Sequence, residues 1–155
     1  MDISEDKIRD ILESSLYLTM STVGNNGASW ISPVYTAYDE KYNFYWTSSP
    51  LSRHSQNIII NNRISFVVFN SSQAEGTGRG IYFEALVYEM ENEDEINKAL
   101  NVFYGRKNKE PKPAKDFLGT SPRRFYKAVP QRAWINDIEK IDGYIIDKRI
   151  EVNLI

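Results

Sequence analysis

The feature that most constrains this fold is a series of short segments in which apolar and polar residues alternate. Successive side chains of a β-strand point to opposite faces, so a period of two predicts strands with one buried face. The alternation starts near Leu16 and returns along most of the chain. It predicts strands over residues 16–21, 28–38, 42–47, 64–69, 81–90, 125–129, 132–136 and 144–154.

Turn residues separate these segments. The run Gly24-Asn25-Asn26-Gly27 predicts a hairpin turn. Pro33 lacks a backbone N–H, so its strand is expected at a sheet edge or with an irregularity. Pro130 is expected to bend the chain between two paired strands. Antiparallel strands joined by short turns usually close on themselves. The expected fold is therefore mainly β, an antiparallel Greek-key-like closed barrel with flanking helices.

Three helices are expected between the strands. Residues 2–14 and 92–104 place apolar side chains on one helical face, and a shorter helix should follow the strand that ends at Thr47. Small polar residues precede each helix and can accept hydrogen bonds from its free N–H groups. These expected caps are Asp2 or Ser4, Ser49 or Ser52, and Asn92.

Composition excludes several classes of protein. A chain of 155 residues fits one domain, residues 1–155, and its net charge of −2 gives no basic field for nucleic acid. No apolar run approaches the roughly 20 residues of a membrane helix. The sequence has no cysteine, which excludes disulfides and thiolate sites. With an acidic start at residues 1–6, where a signal peptide would be basic, we expect a cytoplasmic protein.

Residues 47–54 combine groups that suit a phosphate. The hydroxyls of Thr47 and Ser52 precede a helix start that carries adjacent Arg53 and His54. Free N–H groups at a helix N-terminus, together with cationic side chains, bind anions well. The same residues would also fit a solvated helix start with Ser52 acting only as a cap. The segment therefore predicts a phosphate site without identifying the phosphorylated molecule.

Taken in order, several segments resemble the pyridoxamine 5'-phosphate oxidase-like family, the FMN-binding split barrels. The likeness covers nearly the whole chain. Its parts are residues 18–24 with Gly27, Ser32-Pro33-Val34, residues 44–47 with Ser52-Arg53-His54, residues 57–66, residues 80–88, and residues 147–152.

The resemblance implies a homodimer with two FMN sites at the subunit interface. In the family, the unit matched by Trp46, Thr47, Ser52, Arg53 and His54 holds the flavin phosphate. The strand matched by Ser32, Pro33 and Val34 passes beside the flavin ring. Trp134 resembles an aromatic residue that some relatives place near the ring from the second subunit, although core or interface packing explains it equally well. These nine residues form the expected cofactor site.

Departures from the family pattern argue against the oxidase itself. The oxidase has basic residues at both ends of the second strand, where Ile31 and Thr36 stand here. Its fifth-strand glutamine falls near Gly80. His54 stands where relatives often have Lys, so FMN affinity is expected to depend on pH. The chain is thus expected to be a divergent FMN-dependent oxidoreductase whose catalytic residues and small-molecule substrate are unknown.

Other functions remain open at this point. The chain could bind flavin without turnover, for storage, sensing or electron transfer, or it could bind a deazaflavin. Gly76-Thr77-Gly78-Arg79-Gly80 suggests a nucleotide loop, but it precedes a strand instead of opening a helix, so a flexible loop is favoured. His54 is the only histidine, and no pattern supports a metal site.

Overall fold

In the computed structural model, residues 5–154 are described, and they form mainly antiparallel β-structure with flanking helices. The strands are β1 (Tyr17–Val23), β2 (Ser29–Tyr35), β3 (Ala37–Tyr38), β4 (Phe44–Ser48), β5 (Arg63–Phe69), β6 (Gly80–Glu89), β7 (Arg124–Ile141) and β8 (Tyr144–Val152). The helices are α1 (Glu5–Glu13), α2 (Arg53–Ile60) and α3 (Glu93–Arg106), with a 3₁₀ turn at Ala114–Phe117. Among these residues, no helix is both long enough and apolar enough to cross a membrane.

Most of the predicted elements are confirmed, and two need correction. The predicted strand 28–38 is interrupted at Thr36, which separates β2 from β3. The predicted strand pair around Pro130 is one continuous strand, β7. Glu84 pairs with Arg132 and the next residue, Ala85, pairs with Pro130, so Gln131 is the extra residue of a β-bulge. The bulge explains how a proline is accommodated without ending the strand.

The predicted turn and caps have mixed outcomes. Gly27 donates its N–H to the Gly24 carbonyl and has a φ of 73°, which confirms the hairpin turn. Asn92 caps α3 by accepting from the Glu95 N–H at 3.0 Å. Ser52 occupies the N-cap of α2, but its side chain makes no capping hydrogen bond. The proposed caps Asp2 and Ser4 lie outside the described residues.

The strand order is β2-β1-β5-β6-β7-β4-β3, and β8 pairs with β7. Every pairing is antiparallel. No ladder joins the end strands β2 and β3 within residues 5–154, so the closed barrel remains a prediction. The two end strands are nevertheless neighbours in sequence, because only Thr36 lies between them.

Thr36 connects the two sides of this break. Its N–H donates to the Leu16 carbonyl at 3.0 Å, next to β1. Its hydroxyl donates to the Tyr45 carbonyl of β4, also at 3.0 Å. The side chain is buried. Thr36 therefore fixes the point at which the chain leaves β1 and begins to pair with β4.

Two apolar clusters lie on opposite faces of the sheet. The inner cluster contains Phe44, Phe66 and Phe83, whose ring centroids lie 4.6–5.0 Å apart, and the apolar residues of α1 pack into it. The outer cluster joins α3 to Tyr45 and Phe125. Strand alternation sends neighbouring residues of β4 to different clusters. Both faces of β4 are thus covered by apolar side chains.

Replacing Thr36 by Val should destabilise the protein by about 1–3 kcal/mol, since the Tyr45 carbonyl then loses its buried donor. Urea denaturation followed by tryptophan fluorescence measures this change. Thr19→Val on β1 is the matched control, because this side chain is only partly buried and should tolerate the change. Equal midpoints for Thr36→Val and the unaltered protein would show that the hydroxyl contributes nothing at this break.

Candidate functional site

The predicted phosphate segment lies between β4 and α2. β4 ends at Ser48, a short turn follows, and α2 starts at Arg53. The turn is held by its own contacts, because Ser52 donates its N–H to the Ser49 carbonyl and Ser49 Oγ accepts from the Leu51 N–H. The structure thus brings Thr47, Ser52, Arg53 and His54 to one end of the sheet.

His54 points inward from this turn. Its Nε2 lies 2.6 Å from Ser48 Oγ, and Ser48 Oγ also donates to Ser52 Oγ at 3.4 Å. Burial lowers the pKa of His54 below its usual range. At neutral pH the ring is therefore neutral and forms part of a hydroxyl–imidazole cluster, so it supplies no fixed positive charge.

Arg53 points the other way, towards solvent. Its guanidinium lies over the ring of Trp30, with Cζ 4.3 Å from the centroid. Such a cation–π contact limits the positions that the side chain can take. Arg53 forms no ion pair with a carboxylate in the described part of the chain. An orientated guanidinium without an acidic partner is well suited to bind an anion.

Arg123 is a second cation at this corner, and the sequence did not reveal it. Its Nη1 donates to Thr47 Oγ1 at 3.4 Å. The two residues are 76 positions apart, and they meet because Thr47 of β4 pairs with Phe125 of β7. No local pattern could have identified Arg123, since its position depends on the pairing of distant strands.

Trp46 lies away from the site surface. Its side chain is fully buried and stacks on Tyr126, with ring centroids 5.7 Å apart and planes 14° apart. The indole Nε1 has no hydrogen-bond partner. A bound molecule could therefore meet Trp46 only at its backbone, and the ring acts in packing.

The predicted flavin strand is β2. Pro33 is exposed, whereas Ser32 is buried and Val34 packs against the inner cluster. β2 pairs with β1 alone among the described strands, which confirms that Pro33 lies in an edge strand. The other edge of β2 faces β4 without a ladder. Backbone groups along that edge can serve a ligand.

Trp134 lies on the outer face of the sheet, outside the cluster formed with α3 and apart from the α2 turn. It pairs with Tyr82 of β6 and Glu151 of β8. The Arg132 guanidinium lies 4.7 Å from its ring centroid and forms two 2.9 Å hydrogen bonds with Glu151. A cavity of about 290 Å³ opens beside Trp134, and its lining includes Ser21, Ile31, Tyr82 and Arg149. Within residues 5–154, no hydrogen bond or aromatic contact links the Trp134 side chain to the phosphate segment.

The glycine-rich run is a loop, as expected. Gly76 and Gly78 lie in an exposed segment that leads into β6 at Gly80. Asn136 holds its end, accepting from the Gly80 N–H at 2.7 Å and donating to the Gly78 carbonyl at 3.0 Å. It opens no helix, so it is not a dinucleotide fingerprint.

Comparison with protein-family models gives a match to the pyridoxamine 5'-phosphate oxidase model over residues 4–128. A comparison with curated protein sequences gave no significant match.

Solved structures of similar fold differ in their described roles. A candidate 5-nitroimidazole antibiotic resistance protein from Bacteroides thetaiotaomicron superposes with a TM-score of 0.71 at 12% identity, covering 85% of this chain and 82% of that one. HutZ, the haem storage protein from Vibrio cholerae, gives 0.62 at 15% identity, covering 84% and 92%. An F420 reductase gives 0.59 at 19% identity, covering 81% and 94%. At such identities these likenesses show the fold alone.

Asn57 sets the position of α2 against the first hairpin. Its Nδ2 donates to Thr22 Oγ1 at 3.0 Å, and its side chain is buried. A Cβ placed on Gly24 would lie 2.6 Å from Asn57 Oδ1, which is closer than van der Waals contact allows. Gly24 is therefore needed for the close approach of α2, and hence for the direction of Arg53.

Gly24→Ala should destabilise the protein by about 1–3 kcal/mol, because the added methyl displaces Asn57 from Thr22. Thermal and urea unfolding measure the loss. Gly78→Ala is the control, since a Cβ there meets no atom within 4 Å. If the two variants unfold at the same midpoint, the contact between Gly24 and Asn57 does not constrain the helix.

Proposed function

Because the family model covers well over half of the sequence, this chain belongs to the pyridoxamine 5'-phosphate oxidase family, and we propose that it is an FMN-binding oxidoreductase. Its single flavin-binding domain would act on a small molecule that the sequence does not identify. The observation that carries the proposal is Arg53, whose orientated guanidinium lies at the hydroxyl-rich start of α2 and forms no salt bridge among residues 5–154.

The phosphate of FMN would lie at this corner. Ser52 Oγ and Thr47 Oγ1 are hydroxyls at the turn, and Arg53 with Arg123 supplies two positive charges. The N–H groups of the first turn of α2 add a partial positive charge. His54 contributes through its contact with Ser48. This donor set fits a phosphate monoester, which prefers several charge-assisted hydrogen bonds.

The flavin ring would lie along the free edge of β2. Backbone groups of Ser32 to Val34 would orient it, and Trp46 would contribute only through its backbone. When bound, FMN supplies hydride and electron transfer, whereas the protein supplies binding and orientation. In this proposal the chain passes from β2 to β3 at Thr36 to complete a closed split barrel.

A second copy would complete each site in a homodimer. The outer face that carries Trp134 also exposes Ile31 and Phe69, which are 65% and 45% accessible. No helix of the described chain covers this face beside Trp134. Exposed apolar surface of this kind is common at protein interfaces. Trp134 would then reach the flavin of the opposite copy.

The buried, hydrogen-bonded side chain of Thr36 indicates a substrate different from that of the oxidase. It stands where the oxidase has a basic residue, yet here its side chain is buried and bonded to the Tyr45 carbonyl. Ile31, at the other end of the strand, offers no charge. We therefore infer a different small-molecule substrate.

Two alternatives follow from the same geometry. The chain could bind flavin without turnover, or bind a deazaflavin, as the similarity to an F420 reductase suggests. Anaerobic mixing of the flavin-loaded protein with NADH or NADPH separates the first alternative from a reductase, because only a reductase bleaches the flavin. Haem binding is less well supported, since the only histidine, His54, is held against Ser48.

FMN titration followed by flavin fluorescence tests the proposal. The unaltered protein should bind FMN, and Arg53→Ala should weaken binding by about 10- to 100-fold through loss of a charge-assisted contact. Arg63→Ala, at the exposed start of β5, is the matched control and should leave affinity unchanged. Failure of the unaltered protein to take up FMN would refute the flavin proposal, and equal affinities of the two variants would move the phosphate elsewhere.

The pH dependence of FMN affinity should follow His54. Because burial lowers its pKa, His54 is neutral at pH 7 and gains a charge only in more acidic solution. The ratio of the FMN affinity of the unaltered protein to that of His54→Gln should therefore rise as pH falls below about 6.5. Taking the ratio to this variant removes the titration of the FMN phosphate itself, which is common to both. A ratio that stays constant from pH 8 to 5 would show that no positive charge on His54 strengthens FMN binding in that range.

A further inference from the structure

The last two strands run on beyond the rest of the sheet. The pairing of β6 with β7 ends at Ile81 and Ile135, and Asn136 ties the preceding loop. From Asp137 opposite Lys148 to Ile141 opposite Tyr144, β7 and β8 pair only with each other. Residues 137–148 thus form a two-stranded arm, and an isolated hairpin is marginally stable in water.

The arm exposes apolar side chains on both faces. Ile138 and Ile145 lie on the face of Trp134, with 52% and 70% of their surface accessible. Ile141 and Tyr144 lie on the opposite face and are 46% and 73% accessible. A ribbon with two exposed apolar faces gains stability when another surface covers it.

The arm is also acidic. It contains Asp137, Glu139, Asp142 and Asp147 against Lys140 and Lys148, which gives four negative and two positive charges, a net of −2. Glu139 pairs with Lys148 at 3.4 Å. Asp142 and Asp147 form no ion pair among the described residues. Asp142 at the tip and Asp147, opposite Ile138 near the base, therefore carry negative charge without a salt bridge in this part of the chain.

A complementary surface lies at the other end of β7. Lys107, Lys109, Lys112 and Arg123 form what we call the basic corner, whose charges together lower the pKa of Lys107 after the larger effect of its burial. Lys107 Nζ lies 3.8 Å from the Phe103 ring centroid. Glu110 and Asp116 are near in sequence, yet none of these carboxylates pairs with the corner. Among residues 5–154, the four side chains of the corner thus form no salt bridge.

The two surfaces cannot meet within one chain. Arg123 immediately precedes β7, and the arm starts 14 residues later in the same strand. At about 3.3 Å per residue, the strand separates them by about 45 Å along its path. A strand does not fold back on itself, so an arm that meets the basic corner has to belong to another copy of the chain.

We propose that the arm of one copy docks on the basic corner of a second copy, with the acidic tip meeting the lysines and the apolar side chains covered by the partner. This docking presupposes the homodimer of the proposed function. Two-fold symmetry would form the contact twice and close the assembly. Because Arg123 of the corner touches Thr47, the docked arm would also close the phosphate end of the partner's site.

Cysteine cross-linking tests this docking directly, because the sequence contains no cysteine. A variant carrying both Asp142→Cys and Lys109→Cys should form an intermolecular disulfide under mild oxidation. Non-reducing electrophoresis should then show a band of about 36 kDa, twice the 18.0 kDa of one chain. Each single variant, and Asp94→Cys combined with Lys109→Cys, should stay at the single-chain mass. No 36 kDa band above these controls would overturn the proposal.

Charge reversal gives a second measurement. Asp142→Lys with Asp147→Lys should weaken dimerisation by about tenfold or more in light scattering, and adding Lys109→Glu with Lys112→Glu should restore it. Absence of rescue would count against the contact.

Both measurements are made without FMN, so they separate the two proposals. If the protein cross-links but takes up no FMN, the docking proposal is supported and the flavin proposal is refuted. If it takes up FMN but does not cross-link, the flavin proposal is supported and the docking proposal is refuted.

Discussion

The structure depends on the segment from β2 through Thr36 to β3, whose backbone hydrogen bonds change from β1 to β4. A buried backbone N–H or carbonyl without a partner is costly, so a strand that leaves one neighbour must find another at once. Thr36 achieves this with its N–H on the side of β1 and its hydroxyl on the side of β4. The consequence is that, among the described strands, β2 pairs along one edge only and leaves its other edge unpaired near β4. The candidate ligand edge thus results from the break in pairing.

The orientation of α2 depends on polar contacts beneath it. Asn57 is fixed to Thr22 and packed against Gly24, while His54 meets Ser48 inside the turn. With the inner side of the helix held in this way, Arg53 is left on the outer side, where it lies over the Trp30 ring and forms no salt bridge with any described carboxylate. Buried polar contacts, which add little net stability each, here determine the direction of an exposed cation.

Charge is distributed unevenly along β7. The basic corner lies at its start, where Lys107, Lys109, Lys112 and Arg123 form no salt bridge among residues 5–154, and the acidic arm lies at its end. A strand holds its two ends apart, so this separation is built into the secondary structure. If the arm of a second copy docks on the basic corner, dimer assembly would also close the phosphate end of the site, because Arg123 of the corner contacts Thr47.

The sequence by itself determined most of the strands, the first hairpin turn, the cap at Asn92 and the hydroxyl-rich helix start with Arg53, because each depends on neighbouring residues in the chain. Only the tertiary structure decided that Trp46 is a core residue, that burial lowers the pKa of His54 and that Arg123 lies against Thr47. Burial and strand register are properties of distant pairings. A local pattern shows which residue types can bind a phosphate, and the packing of the sheet decides which of those side chains lie together.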